Sequence, residues 1–326
     1  MAVVLNSLLW LIKDMSTLED LKKVTIVVAD TGQFHELKKY SPQDATTNPS
    51  LILEAIKDPA YLPLLQQTVK GKKDVYNAYM DLFIAFGVEI LKFLPPNGRV
   101  SIEVDPKLSW DRDASIIFAH KIIERFAKKG IGPEKILIKL ASTWEGAQAA
   151  YILEKMGIHC NMTLLFSMAQ AAICADAGVT LISPFVGRIT DFYKKEKGVT
   201  DFSANEDPGV QSVKKIYSYL KKFGYKTQVM GASFRSSKQI LALAGSDLLT
   251  IAPKFLEEMS QASQAVPRQL DMEMAKKSDV TKIEVDYPKF SFLHNEDHGA
   301  AFLLSDGIRR FAKDLDTLLG IVAKEV

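Results

Sequence analysis

The chain has little sulfur chemistry available to it. Two cysteines, Cys160 and Cys174, occur in 326 residues. That is too few for a disulfide framework or a thiolate metal cluster, and it suits a reducing cytosol. The five histidines, at positions 35, 120, 159, 294 and 298, show no metal-ligand spacing, so they read as structural or surface residues and no metal is expected. An excess of charge of one sign is also missing. With 41 basic and 39 acidic residues the formal net charge is +2, which offers no whole-chain attraction to nucleic acid or an anionic membrane. No Gly-x-Gly-x-x-Gly follows a strand and there is no P-loop, so a nucleotide cofactor is not indicated. Long hydrophobic runs are absent too. The N-terminal stretch Val3 to Ile12 is too short to span a bilayer, and its first charge, Lys13, comes after it rather than before, unlike a secretory signal. It reads as an N-terminal helix packing on the body or an added extension, with Met15 a candidate natural start.

What is present is ordinary for a soluble globular protein, with 47% hydrophobic and 25% charged residues. Short β-rich runs alternate with longer helical stretches. The predicted strands are Val24–Ala29, a brief one ending near Asp44–Thr46, Arg99–Val104, Lys135–Leu140, His159–Leu165, Val179–Ile182, Lys226–Met230 and Asp247–Ile251. Several are nearly continuous apolar runs, as expected of parallel strands covered on both faces. Ser142 with Glu145, Ser167 with Gln170, and Ser236 with Gln239 fit the capping-box spacing. Pro208 opens a further helix. Gly130, Gly157, Gly178, Gly224 and Gly245 close helices just before a strand. Eight strand–helix units predict a closed (β/α)8 TIM barrel over residues 24–326, preceded by an N-terminal extension and helix over residues 1–23; a doubly wound open sheet is the alternative. Lys194–Gly209 reads as an exposed excursion after the sixth strand, and Ala300–Ala323 as an additional amphipathic C-terminal helix with Ile308, Phe311 and Leu315 on one face.

Barrel chemistry sits at the C-terminal ends of the strands. The polar residues at those ends are Asp30, Thr46 with Asn48, Glu103 with Asp105, Lys139, Asn161 with Thr163, Ser183 with Arg188, and Ser233 with Arg235. Lys139 lies inside Ile-Leu-Ile-Lys-Leu-Ala, where a surface charge does not belong. Strand alternation puts it on the face of Leu137, opposite Ile138 and Leu140. Burial disfavours an ammonium, and a neutral amine can attack a carbonyl to give an imine that withdraws electrons from the adjacent carbon. Taken alone, Lys139 would read as a snorkelling or salt-bridged structural lysine; the ring of polar strand ends around it reverses that reading. Glu103 and Asp30 are the acid–base candidates, since imine formation and carbon–carbon cleavage both need proton transfers; a salt bridge for Glu103 and a turn for Asp-Thr-Gly are the structural alternatives. Arg188 and Arg235 suit an oxyanion, most plausibly phosphate, aided by the helix N-terminus near Ser236.

Seven motifs in series carry a resemblance: Val-Ala-Asp-Thr-Gly at Asp30, Asp-Ala-Thr-Thr-Asn-Pro-Ser at Thr46 to Ser50, Ser-Ile-Glu-Val-Asp at Glu103, Ile-Leu-Ile-Lys-Leu-Ala-Ser-Thr at Lys139, Cys-Asn-Met-Thr-Leu-Leu-Phe-Ser at Asn161 and Thr163, Ser-Pro-Phe-Val-Gly-Arg at Ser183 to Arg188, and Met-Gly-Ala-Ser-Phe-Arg at Arg235. From about Val24 onward the chain resembles the transaldolases. The resemblance implies a cofactor-free, Schiff-base-forming enzyme of sugar-phosphate metabolism, cytoplasmic and homodimeric. By similarity Lys139 is the nucleophile and Asp30 the acid–base group on the C4 hydroxyl. Glu103 shuttles protons through a water held with Thr163. Asn48, Asn161 and Ser183 hold the dihydroxyacetone hydroxyls, Thr46 adds a binding contact and Phe185 shapes the pocket. Arg188, Arg235 and Ser233 take the phosphate. The rival readings are a fructose-6-phosphate-cleaving aldolase of the same superfamily, whose chains are much shorter, a pyridoxal-phosphate barrel, and a catalytically inactive barrel that senses sugar phosphates.

Overall fold

The computed structural model describes residues 15–326; Val3 to Ile12 lies outside the described residues. Eight strands close a barrel in sequence order, every neighbouring pair parallel: β1 Ile26–Asp30, β2 Asp44–Thr46, β3 Val100–Glu103, β4 Ile136–Ala141, β5 Cys160–Leu165, β6 Leu181–Pro184, β7 Gln228–Gly231 and β8 Leu248–Ile251. This is the predicted (β/α)8 barrel. Each apolar run is buried on both faces. The outward residues, Val27, Ile102, Ile138, Leu140 and Met162 among them, pack into the continuous layer beneath the helices. The inward residues Val28, Leu137, Leu181, Met230 and Leu248 form a separate small cluster inside the barrel. Two positions further along, period-two alternation again points the side chain inward, and four of these five strands place a polar residue there, Asp30, Lys139, Ser183 and Thr250, while Ala232 follows β7.

The helices follow their start and stop signals with instructive exceptions. Ser167 and Gln170 form a reciprocal capping box at the helix Met168–Asp176. Ser236 caps its helix by accepting from the Gln239 N–H, but the Gln239 side chain accepts from the Arg235 N–H rather than closing the box. Ser142 does not cap its helix. Thr143 does, accepting from the Gly146 N–H at 2.9 Å, while the Ser142 hydroxyl donates to the Thr163 carbonyl at 2.8 Å. Two adjacent hydroxylated residues made the register ambiguous, and the barrel ladder claimed the first. The five predicted helix-closing glycines all have positive φ. The segment 194–209 is only partly an excursion: its first residues finish the helix Val186–Lys197, and its last, Asp207 to Gly209, are the buried start of the helix Pro208–Lys222.

Two features place material over the barrel mouth. The C-terminal helix runs from His298 to Glu325, and Leu303, Leu304, Ile308 and Phe311 on its apolar face pack with Leu164, Phe166, Phe185 and Ile189. Strand β5 carries a bulge between Met162 and Leu165, where Leu164 has φ 53°. The bulge turns Leu164 into this mouth cluster, beneath Gly307, where a Cβ would come within 2.7 Å of the leucine. After β8 the helix Pro253–Gln261 completes the eighth strand–helix unit, and Met272–Lys276 and Tyr287–Glu296, which the alternation does not anticipate, lie between it and the C-terminal helix. At the other end of the chain, the helix Thr17–Lys22 buries Leu18 and Leu21, and Thr17 exchanges hydrogen bonds with Ala262 and Gln264. No helix of the described residues is long and apolar enough to cross a membrane.

Candidate active site

The parallel register sets the site. Glu103 on β3 stands opposite Lys139 on β4, and Lys139 stands opposite Asn161 on β5. Lys139 Nζ lies 3.0 Å from Glu103 Oε2 and donates to the Thr47 carbonyl at 3.3 Å, with both side chains of the ion pair only 4% exposed. The structural alternatives for both residues are thus one and the same salt bridge. The amine also lines a cavity of about 190 Å³ that opens at the strand C-termini, so the pair is both a buried bridge and an accessible amine.

A belt of hydrogen bonds runs round the inner wall. Asp30 accepts from the Thr46 hydroxyl at 2.9 Å, and Thr46 in turn touches Thr250 at 2.9 Å. Asn161 donates to Ser101 at 3.0 Å and accepts from Ser183 at 2.5 Å. Thr163 Oγ1 is buried without a hydrogen-bond partner among the described residues, and it lines the cavity. A buried hydroxyl in that state has full capacity for a ligand or water. Burial pushes the carboxyls of Asp30 and Glu103 above their ordinary values, while the charge of Lys139 opposes the shift at both and Thr46 adds a smaller opposing bond at Asp30. Each therefore holds a proton at higher pH than a solvated carboxyl, which suits a group that must both take and return one.

The mouth is cationic. Arg188 is packed between the rings of Phe185 and Phe311, at 5.2 and 5.4 Å from their centroids, and its Nη1 is buried without a partner among the described residues. Burial, and then the charges of Arg310 and Arg235, press its guanidinium toward the neutral form. An anion in the cavity would relieve that cost. Arg235 sits at the rim, where its Nε and Nη2 both meet Asp191 Oδ2 at 2.8 Å. Its Nη1 donates to the Ser233 carbonyl at 3.0 Å, and Ser233 is held at φ 61°. Gly187 lets these two loops touch: its N–H donates to the Ser233 carbonyl at 2.9 Å, and a Cβ there would sit 2.2 Å from that oxygen.

Of the sequence-predicted residues, Asp30, Thr46, Asn48, Lys139, Thr163, Ser183, Phe185, Arg188 and Ser233 line the cavity, and Glu103 and Asn161 support it from the wall. Asn48 has a second duty, capping the helix Pro49–Ala55 through Leu51 N–H at 2.9 Å. Asp105 does not join: it accepts from the Tyr76 hydroxyl at 2.7 Å and caps the turn after β3. Arg235 does not line the cavity and is held by Asp191 instead. Sequence reasoning missed Ser50, Thr250 and Phe311 as lining residues. Thr250 was findable, because a hydroxyl interrupts the apolar β8 run at an inward position. Ser50 is bonded to Asp314 of the C-terminal helix, a contact that no local pattern encodes.

The closed barrel holds a buried lysine–carboxylate pair on its cavity wall and an unpartnered arginine nitrogen at the mouth, groups suited to a carbonyl compound that carries an anionic group. Comparison with known proteins narrows the class. The family described as Transaldolase/Fructose-6-phosphate aldolase matches residues 27–322, and the chain belongs to it. A transaldolase of Acidobacterium capsulatum is 52% identical over 95% of this chain and 96% of its own length. Transaldolases of Rattus norvegicus and Homo sapiens are each 54% identical over 92% of this chain and 91% of theirs.

Proposed function

We propose that this protein is a transaldolase, a transferase that moves a dihydroxyacetone unit from sedoheptulose 7-phosphate to glyceraldehyde 3-phosphate through a Schiff base on Lys139, releasing erythrose 4-phosphate and forming fructose 6-phosphate. The observation that carries this reading is the Lys139 amine, buried on the cavity wall 3.0 Å from Glu103. The amine attacks the ketose carbonyl, and Glu103, through a water held with Thr163, moves the protons that let the carbinolamine lose water to an iminium. Asp30 takes the C4 hydroxyl proton, the C3–C4 bond breaks, and its electron pair flows into the iminium to leave an enamine. The released aldehyde departs, the acceptor aldehyde is attacked by the enamine, and hydrolysis returns the free amine.

Asn48, Asn161 and Ser183 hold the hydroxyls of the three-carbon unit, with Thr46 orienting Asp30, and Phe185 shapes the wall. Arg188, Arg235 and Ser233 take the phosphate, for which the unpartnered Arg188 Nη1 supplies the support. Phe311 and the mouth cluster close the cavity from above and limit water at the enamine. In this reading residues 24–326 act as one catalytic domain, and the enzyme is a cytoplasmic homodimer. The two buried free cysteines accord with a reducing compartment.

The test is reductive trapping. Incubation with fructose 6-phosphate and borohydride should leave a three-carbon adduct on Lys139, located by peptide mass spectrometry; an active preparation that gives no adduct there overturns the mechanism. The fructose-6-phosphate aldolase reading survives only if free dihydroxyacetone is released faster than it is transferred to erythrose 4-phosphate.

A further inference from the structure

Behind the two arginines lies a buried carboxylate that the proposed chemistry does not use. Asp207 is 4% exposed, and its side-chain partners among the described residues are all uncharged. Its charge is met instead by four donors. Oδ1 accepts from the Thr190 hydroxyl at 2.8 Å and from the Gly209 and Val210 N–H groups at 2.9 and 3.0 Å. Oδ2 accepts from Gln239 Nε2 at 2.8 Å. Gln239, also buried, gives its other amide proton to Thr190 Oγ1 at 2.9 Å, and its Oε1 accepts the backbone N–H of Arg235 at 2.8 Å. Thr190 stands two residues after Arg188 in Val186–Lys197. The three side chains therefore join the helix that carries Arg188, the loop that carries Arg235 and the start of Pro208–Lys222. Gly209 makes the junction tight: a Cβ would fall 2.1 Å from the Val186 carbonyl.

Two guanidiniums that share an anion repel each other while it is absent, so loops free to relax would move apart. We propose that Asp207 and Gln239 are positioning residues that hold the Arg188 and Arg235 elements at the spacing a phosphate ester needs, and thereby set the preference for phosphorylated over unphosphorylated sugars. A buried network in which every partner is satisfied has one geometry, and such preorganisation raises affinity by removing the cost of ordering the loops at binding. Neither side chain lines the cavity, so the effect passes through the arginines alone. The inference rests on the proposed function, in that it takes phosphate as the anion.

The experiment compares glyceraldehyde 3-phosphate with unphosphorylated glyceraldehyde as acceptors. Gln239→Met keeps the volume and removes both sets of hydrogen bonds. It should raise KM for the phosphorylated acceptor by about tenfold or more while kcat, and kcat/KM for glyceraldehyde, stay within about twofold. Thr190→Val should show the same split at smaller size and Thr190→Ser should restore it, which decides the matter if Gln239→Met does not fold. Equal losses for both acceptors, or no change for either, overturn the proposal. Borohydride trapping on the unsubstituted enzyme separates the failures: an adduct on Lys139 without the split removes only the positioning role, and no adduct removes the function itself.

Discussion

Lys139 and Glu103 face each other across the β3–β4 ladder, and their charged atoms lie 3.0 Å apart with almost no solvent on either side. Strand register alone brings them together. A buried pair of this kind is poor evidence of stability, because desolvation offsets much of the attraction. Its placement at the wall of a cavity is what the proposed mechanism uses, with Glu103 moving protons for the Lys139 amine.

Replacing Glu103 by Gln should leave the fold intact and a hydrogen-bonding group near Lys139, but remove the proton carrier. The rate at which the borohydride-trappable adduct forms should fall by about 10²- to 10⁴-fold. Rapid-quench kinetics measure it; an unchanged rate of adduct formation takes Glu103 out of the imine steps.

Asp30→Asn separates chemistry from stability. The adduct on Lys139 should still form, while release of erythrose 4-phosphate falls at least about a hundredfold. Burial raises the Asp30 carboxyl in the folded protein, so between its unfolded value of about 3.9 and the folded value the native state binds more protons than the unfolded chain. Its contribution to stability is thus fully present below the unfolded value and is lost as pH rises through the folded one. Asparagine does not ionise, so the variant should have a higher Tm than the parent at pH 7, with the gap narrowing toward pH 4. A calorimetric series that shows a constant or inverted gap contradicts the assignment.

Arg235→Ala should act on binding. With its guanidinium gone from the rim, KM for phosphorylated sugars should rise by about ten- to a hundredfold, with kcat little changed. Steady-state kinetics and inhibition by inorganic phosphate report it. An unaltered KM places the phosphate elsewhere.

Phe311 is 3% exposed and packs against Arg188 at the cavity mouth. Phe311→Ala should cost about 3–5 kcal/mol of stability, seen in chemical denaturation. It should also raise the share of the three-carbon unit lost to water as free dihydroxyacetone. If partitioning between transfer and hydrolysis does not move, the ring is packing only.

Legibility in the sequence followed the range of the interaction. The eight strands were readable because parallel strands buried on both faces demand apolar runs, and the helix-closing glycines were readable because a left-handed residue is a local need. Ser142 was read as the cap where Thr143 is, because two neighbouring hydroxyls satisfy the same local rule. Leu164 obeys no alternation at all, since a bulge in β5 turns it inward.

The order of residues determined the barrel, the inward face of each strand and the polar group at most of the strand ends. Period-two alternation and capping act over a few positions, so a chain carries them visibly. The tertiary structure decided the partnerships. It paired Lys139 with Glu103, gave Arg235 to Asp191 and sent Asp105 to Tyr76. It laid Phe311 over the cavity and joined Ser50 to Asp314. Those contacts link segments from 29 to 264 positions apart, and only the pairing of strands and the docking of helices and loops on them set their distances.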